Sequence, residues 1–201
     1  MGLKTMLGFN LLIFMAVYVD AQCTMDRSYI NEDLDKDKFQ GKWFVTSWYY
    51  HGTGKMKAPM LENAQTVYTL RNDGNWDITY AVGVLDGLCY KNPAMATTDK
   101  NTDRKIWVFD FFLHQILATD YDNFAVLYQC KNGMEFCSKS NTQIVVLGRK
   151  PQANPGSKAA VDKAVESACI AVSDMLDVTQ NQSCLCDTDA VSGILEACPL
   201  N

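Results

Sequence analysis

From residue 41 onward the chain alternates apolar and polar positions in short runs divided by turn residues, the period-two pattern of strands that bury one face. The runs predict strands at 41 to 50, 65 to 71, 75 to 84, 88 to 96, 104 to 111, 113 to 119, 123 to 131 and 141 to 149. Asn72-Asp73-Gly74-Asn75 predicts a hairpin between the second and third, because Asp-Gly supplies the positive φ of a tight turn. Asp120 to Asn123 turns the sixth strand into the seventh. Eight sequential antiparallel strands can close into an all-β, up-and-down barrel with room for one small ligand.

After Arg149 the period changes. Pro151 and Pro155-Gly156-Ser157 break the sheet, and Ser157 is placed to cap a helix starting at Lys158. Val161, Ala164, Val165, Ala168, Val172, Met175 and Leu176 then fall on one stripe at helical spacing, which predicts a helix packed on the barrel wall. The polar stretch from Asp177 reads as a tail held down by disulfide bridges.

The first 21 residues follow another pattern: one lysine near the start, an apolar run from Leu11 to Val19, and Ala21 at a small-residue site. They read as a secretory signal cleaved after Ala21, and no other stretch reaches the ~20 apolar residues of a membrane helix. The expected organisation is a signal at 1–21, barrel and helix at 22–180, and a tethered tail at 181–201. Without the signal's Lys4 and Asp20 the chain keeps 17 basic and 22 acidic residues. That balance argues against a nucleic-acid partner, which needs clustered positive charge.

All eight cysteines, at 23, 89, 130, 137, 169, 184, 186 and 198, lie beyond the signal. In an extracellular protein this count reads as four disulfides. A metal site is the competing reading, but Cys184 and Cys186 are the only tight pair and His51 and His114 the only histidines. Asn181-Gln182-Ser183 is a glycosylation sequon. Catalysis has little to use: with the thiols oxidised there is no Cys-His pair, and no Gly-x-Ser-x-Gly elbow occurs. Glu32 with Asp33, and Asp35 with Asp37, read as a solvated face ahead of the first strand.

Three separated stretches carry a family resemblance. Gly41-Lys42-Trp43, preceded by Phe39, then Thr119-Asp120-Tyr121, then Arg149 resemble, in that order and at barrel spacing, the three signatures of the lipocalins. The cysteine layout resembles the retinol-binding branch of that family, while Ile116 to Cys130 resembles members of broader ligand taste. The resemblance implies that Trp43 sits at the closed end beneath the Arg149 guanidinium, with Phe39 beside it as a plug. It also implies the pairings Cys23–Cys169, Cys89–Cys184 and Cys130–Cys137, leaving Cys186 with Cys198.

Alternation gives Thr66, Tyr68, Ile78, Tyr80, Asn92, Ala94, Ala96, His114, Leu127, Gln143 and Val145 as inward positions. Of these, Tyr68, Ile78, Tyr80, Ala94, Ala96, His114, Leu127, Gln143 and Val145 are the candidate ligand contacts, together with Trp48. The resemblance puts alanines of retinol-binding proteins where Ile78 and Tyr80 stand, so the pocket is narrowed there, and Ala94 and Ala96 give volume back. Haem is disfavoured because Thr69 stands where some haem-carrying lipocalins have a histidine. Gly52 to Pro59, flanked by Trp48 to His51 and including Met56, with Met60 just beyond, reads as the lid over the open end.

The leading expectation is a non-enzymatic, secreted carrier of a small hydrophobic molecule (retinoid, bilin, carotenoid or lipid), with no cofactor required and with transport or pigment binding as its role. The alternative is an inhibitor-type lipocalin that meets a protein partner through the loops at the barrel mouth. An isomerase-like reading would need a free thiol in the cavity.

Overall fold

A computed structural model describes residues 33–50, 62–84, 88–100, 103–108, 112–131, 142–180 and 196–197. The signal, Glu32, His51, the lid with Met56 and Met60, the sequon at Asn181, and Cys23, Cys137, Cys184, Cys186 and Cys198 lie outside the described residues.

A one-turn helix α1 (Lys36–Phe39) leads into β1 (Gly41–Tyr50), β2 (Glu62–Leu70), β3 (Trp76–Val84), β4 (Leu88–Thr98), β5 (Lys105–Val108), β6 (Phe112–Thr119), β7 (Phe124–Lys131) and β8 (Thr142–Gly148). Each strand pairs antiparallel with the next, and β8 returns to β1, so the sheet closes. Every predicted strand is present, β1 with the expected ends and the others with described ends within a few residues of them, because alternation locates a strand better than it locates the turn that ends it. The hairpin expected at 72–75 forms: Gly74 has φ +81° and its N–H donates to the Arg71 carbonyl.

Two features depart from a plain barrel. β1 pairs with β2 only from Gly41 to Phe44, and its register with β8 shifts between Val45 and Ser47, the mark of a bulge that bends the strand. Above the bulge a short strand β9 (Leu176–Asp177) pairs with Ser47 and Trp48 instead. The Gln180 side-chain amide then donates to the carbonyls of both Val45 and Ala64, and Thr179 accepts from the Asn63 N–H. The residues after the helix therefore fill the wedge where β2 leaves β1, and the stretch from Asp177, expected as plain tail, begins as part of the sheet. A second short strand β10 (Glu196–Ala197) extends β4 at Leu88 and Cys89.

Helix α2 (Lys158–Ser167) is shorter than its apolar stripe. Cys169 adopts φ +63°, with its N–H bonded to the Glu166 carbonyl, and a left-handed residue ends the helix there. Val172 belongs to a separate turn and Leu176 to β9, where it is 38% exposed. Ser157 makes no side-chain cap; Asn154 caps the preceding turn, Pro155–Ser157. Cys130 and Cys169 are both disulfide-bonded, and no described cysteine is free.

The apolar residues divide into two cores. Phe39, Trp43, Tyr68, Trp76, Ile78, Ile106, Ile116 and Leu127 belong to the one inside the barrel. Leu117, Val126, Ile144 and Val146 face outward against Ala164, Val165 and Ala168 of α2. The helix therefore covers β6 to β8 from outside and leaves the barrel's interior to its own side chains.

Candidate functional site

The closed end is a sealed floor. Gly41 has φ +100°, a conformation that favours glycine, and a Cβ there would come 3.3 Å from Arg149 Nη1. Trp43 is fully buried and its indole N–H donates to the Phe39 carbonyl at 2.8 Å. The Arg149 guanidinium lies 3.6 Å from the Trp43 ring. Its N–H groups donate to the carbonyls of Tyr121, Lys42, Lys38, Phe39 and Gln40. One planar cation thus joins α1, β1 and the β6–β7 turn.

That turn is built by its own side chains. The Asp120 carboxylate accepts from the N–H groups of Asn123 and Phe124, and the Thr119 hydroxyl donates to the Phe124 carbonyl and accepts from the Tyr121 N–H. These bonds hold Tyr121 at φ +67°, so that its carbonyl faces Arg149 and its hydroxyl accepts from the Asp35 N–H. Asp35, one of the acidic residues ahead of the barrel, caps α1. Phe39, Tyr68 and Trp76 complete the floor with edge-on ring contacts at centroid distances of 5.1 to 6.2 Å. Sequence patterning did not single out Trp76. The signal for it was available, since it begins the inward alternation that continues through Ile78 and Tyr80.

Above the floor the ten candidate ligand contacts separate into two groups. Tyr68, Ile78, Ala94, Ala96, His114 and Leu127 are packed out of reach of solvent. Trp48, Tyr80, Gln143 and Val145 keep accessible area. Strand β8 shows what this means. Its outward residues Ile144 and Val146 are 0% and 5% exposed beneath the helix, whereas inward Gln143 and Val145 are only part-buried. A barrel packed solid would bury the inward face more completely than the outer one, and here the order is reversed. Tyr80 packs against the inner core and still keeps accessible area. Of the other inward positions, Thr66 is buried and Asn92 is exposed, since β4 pairs with β5 only from Ala96 to Thr98. Thr69 points away from the lumen and is exposed.

Two more residues join the lumen: Tyr50, which the sequence places only beside the lid, and Gln129, which the patterning did not single out. Tyr50 stacks on Trp48 with ring planes 8° apart, and Gln129 stands opposite both His114 and Gln143. Gln129 is two residues from Leu127, so the same alternation would have placed it.

The Tyr80 hydroxyl and His114 Nε2 are 3.4 Å apart inside the barrel. Burial pushes the His114 pKa down from 6.5 to about 3 and drives the Tyr80 phenol upward. Between those pH limits an unfolded chain binds a proton at residue 114 that the folded chain refuses. Stability is therefore fully present above pH 6.5 and falls as pH drops toward 3. The loss is expected to reach about 2 kcal/mol by pH 5. Urea unfolding of wild type and His114→Gln at pH 7 and pH 5 checks it, and the variant should lose most of the slope.

A cleft of about 500 Å³ lies elsewhere, outside the barrel, between α2 and the outer faces of β1, β7 and β8. None of the ten candidate contacts borders it. It is the unfilled margin of the helix–barrel interface, and the lumen is the candidate site.

A closed eight-stranded antiparallel barrel, one helix on its wall and a tryptophan under an arginine at the sealed end make up the lipocalin fold. Residues 91–182 match the family model described as the lipocalin / cytosolic fatty-acid binding protein family. The chain is similar to apolipoprotein D of Bos taurus, 23% identical over 163 residues that cover 77% of this chain and 81% of that protein. It is also similar to purpurin of Gallus gallus, 26% identical over 164 residues, 71% of this chain and 80% of the relative. Among solved structures, the siderocalin Ex-FABP shares the fold with a TM-score of 0.63 at 13% identity, covering 75% of this chain and 99% of that one.

Proposed function

We propose that the protein is a secreted, non-enzymatic carrier that shelters one small hydrophobic molecule in its barrel. The carrying observation is the reversed burial on β8, where inward Gln143 and Val145 keep accessible area while Ile144 and Val146 are closed beneath the helix. Lumen walls of this kind gain binding energy from apolar area removed from water, and a few polar groups set orientation. A guest of about twenty non-hydrogen atoms at ~0.3–0.5 kcal/mol each would bind with tens-of-micromolar to tens-of-nanomolar affinity. Retinoids, carotenoids, bilins and lipids have suitable skeletons. The similarity to apolipoprotein D and purpurin, and the shared fold of a siderocalin that functions through dual ligand specificities, support a binding role. No described helix is long and apolar enough to cross a membrane, and the leader-like residues 1–21 support export.

Extracting protein purified from its native source with organic solvent, and recording mass and absorption of the extract, tests the reading. The expected result is a single apolar compound in near-equimolar amount that rebinds the stripped protein. Repeated recovery of none, with no rebinding of any retinoid, carotenoid, bilin or fatty acid, would contradict it.

A further inference from the structure

Seven described polar side chains of the lumen fall in two arcs, and all seven are neutral groups. Strand pairing places Tyr50, Gln143, Gln129 and His114 side by side across β1, β8, β7 and β6. A second arc, Thr66, Tyr80 and Asn92, crosses β2, β3 and β4. The two arcs meet where the Tyr80 hydroxyl approaches His114 Nε2 at 3.4 Å, the rings standing edge-on. One inward step nearer the floor, Trp48, Val145, Leu127 and Ile116 form an apolar row. Among the described side chains the lumen is therefore oily in this row and polar, without charge, in the layer above it.

Buried or strand-borne cations are placed elsewhere. Arg104 donates to the Ile116 and Leu117 carbonyls at the closed end. Lys91 pairs with Ala81 and so has the outward parity, opposite to Asn92. Lys131 ends β7, two residues beyond Gln129. None of the side chains in these two arcs is a cation, and His114, its pKa near 3, does not become one at physiological pH.

Among the described side chains of this layer a carboxylate that loses its water meets only neutral donors, and burying a charge without a counter-charge is far costlier than burying a hydroxyl or carbonyl with a hydrogen-bond partner. Resting on the carrier reading above, we infer that the lumen selects guests whose polar group is uncharged, a hydroxyl or carbonyl on an apolar skeleton held at Tyr80 and His114, and discriminates against the carboxylate of the same skeleton. Retinol-like alcohols and oxygenated carotenoids satisfy this rule. Fatty-acid anions and tetrapyrroles with propionate arms do not.

The test uses one skeleton with three ends. Retinol, retinal and retinoic acid are titrated at pH 7.4 into the full mature chain, wild type, Tyr80→Phe and Lys131→Gln, with tryptophan quenching as the readout and circular dichroism confirming the fold. The alcohol and aldehyde should bind at least tenfold more tightly than the acid. Tyr80→Phe should weaken retinol about three- to tenfold and leave the acid within twofold, and Lys131→Gln should leave the preference intact. An acid that binds as tightly as the alcohol, or a preference unchanged in Tyr80→Phe, overturns the selectivity while the carrier reading stands. If no retinoid binds and native protein yields no apolar guest, both fall.

Discussion

Arg149→Ala is expected to destabilise the protein by about 3–5 kcal/mol, the largest effect of any single substitution considered. The guanidinium makes five hydrogen bonds to main-chain carbonyls while lying 3.6 Å from the Trp43 ring. The stacking alone is worth about 0.5–2 kcal/mol. The larger part comes from the carbonyls of Lys38, Phe39, Gln40, Lys42 and Tyr121, which lose a charged donor together. Lysine cannot replace it, because an ammonium lacks the planar fork that reaches α1, β1 and the β6–β7 turn at once, so Arg149→Lys should recover less than half the loss. Urea unfolding with an unchanged m-value measures both. A loss below about 1 kcal/mol for the alanine variant would show that the floor holds itself closed by aromatic packing alone.

Val145→Trp is the second large prediction, and it separates a hollow barrel from a packed one. Val145 stands between Trp48 and Leu127 in the apolar row below the polar layer and keeps accessible area. An indole there should occupy the guest's place and weaken binding of any apolar ligand at least thirtyfold. In an open lumen the added bulk should change stability by less than about 1 kcal/mol, whereas overpacking a filled core costs about 1–3 kcal/mol. Ligand titration and urea unfolding of the same preparation give the two readings. Intact binding together with a large loss of stability would mean that the interior around Val145 is solid and the guest sits elsewhere.

The architecture was legible because a barrel writes itself in local terms. Alternation marked each strand and Asp73-Gly74 marked a hairpin, while the family resemblance carried by Gly41, Trp43, Thr119, Asp120, Tyr121 and Arg149 implied a closed end with Trp43 beneath Arg149, and each of these residues holds a specific bond or backbone angle. What was not legible depends on distant partners. β9 is two residues long and exists because the bulge in β1 opens a wedge for it, so no local pattern announces it. The helix was read too long because Val172, Met175 and Leu176 continue the apolar stripe, while the left-handed turn at Cys169, a disulfide-bonded residue, decides where the helix stops. Alternation gave the faces of Tyr80 and Val145 correctly, but which inward residues pack and which face open space depends on how eight strands fill one interior. Tyr68 and Ile78 are inward like Tyr80, yet they belong to the floor.

Quenching of the tryptophan fluorescence of ligand-stripped protein by a neutral apolar guest bears most directly on whether the lumen is a container. Retinol added to saturation should quench with one-to-one stoichiometry and a dissociation constant at or below tens of micromolar, and the response should vanish in Val145→Trp while the unfolding midpoint stays put. A linear, unsaturable response, identical in wild type and in Val145→Trp, would contradict the account.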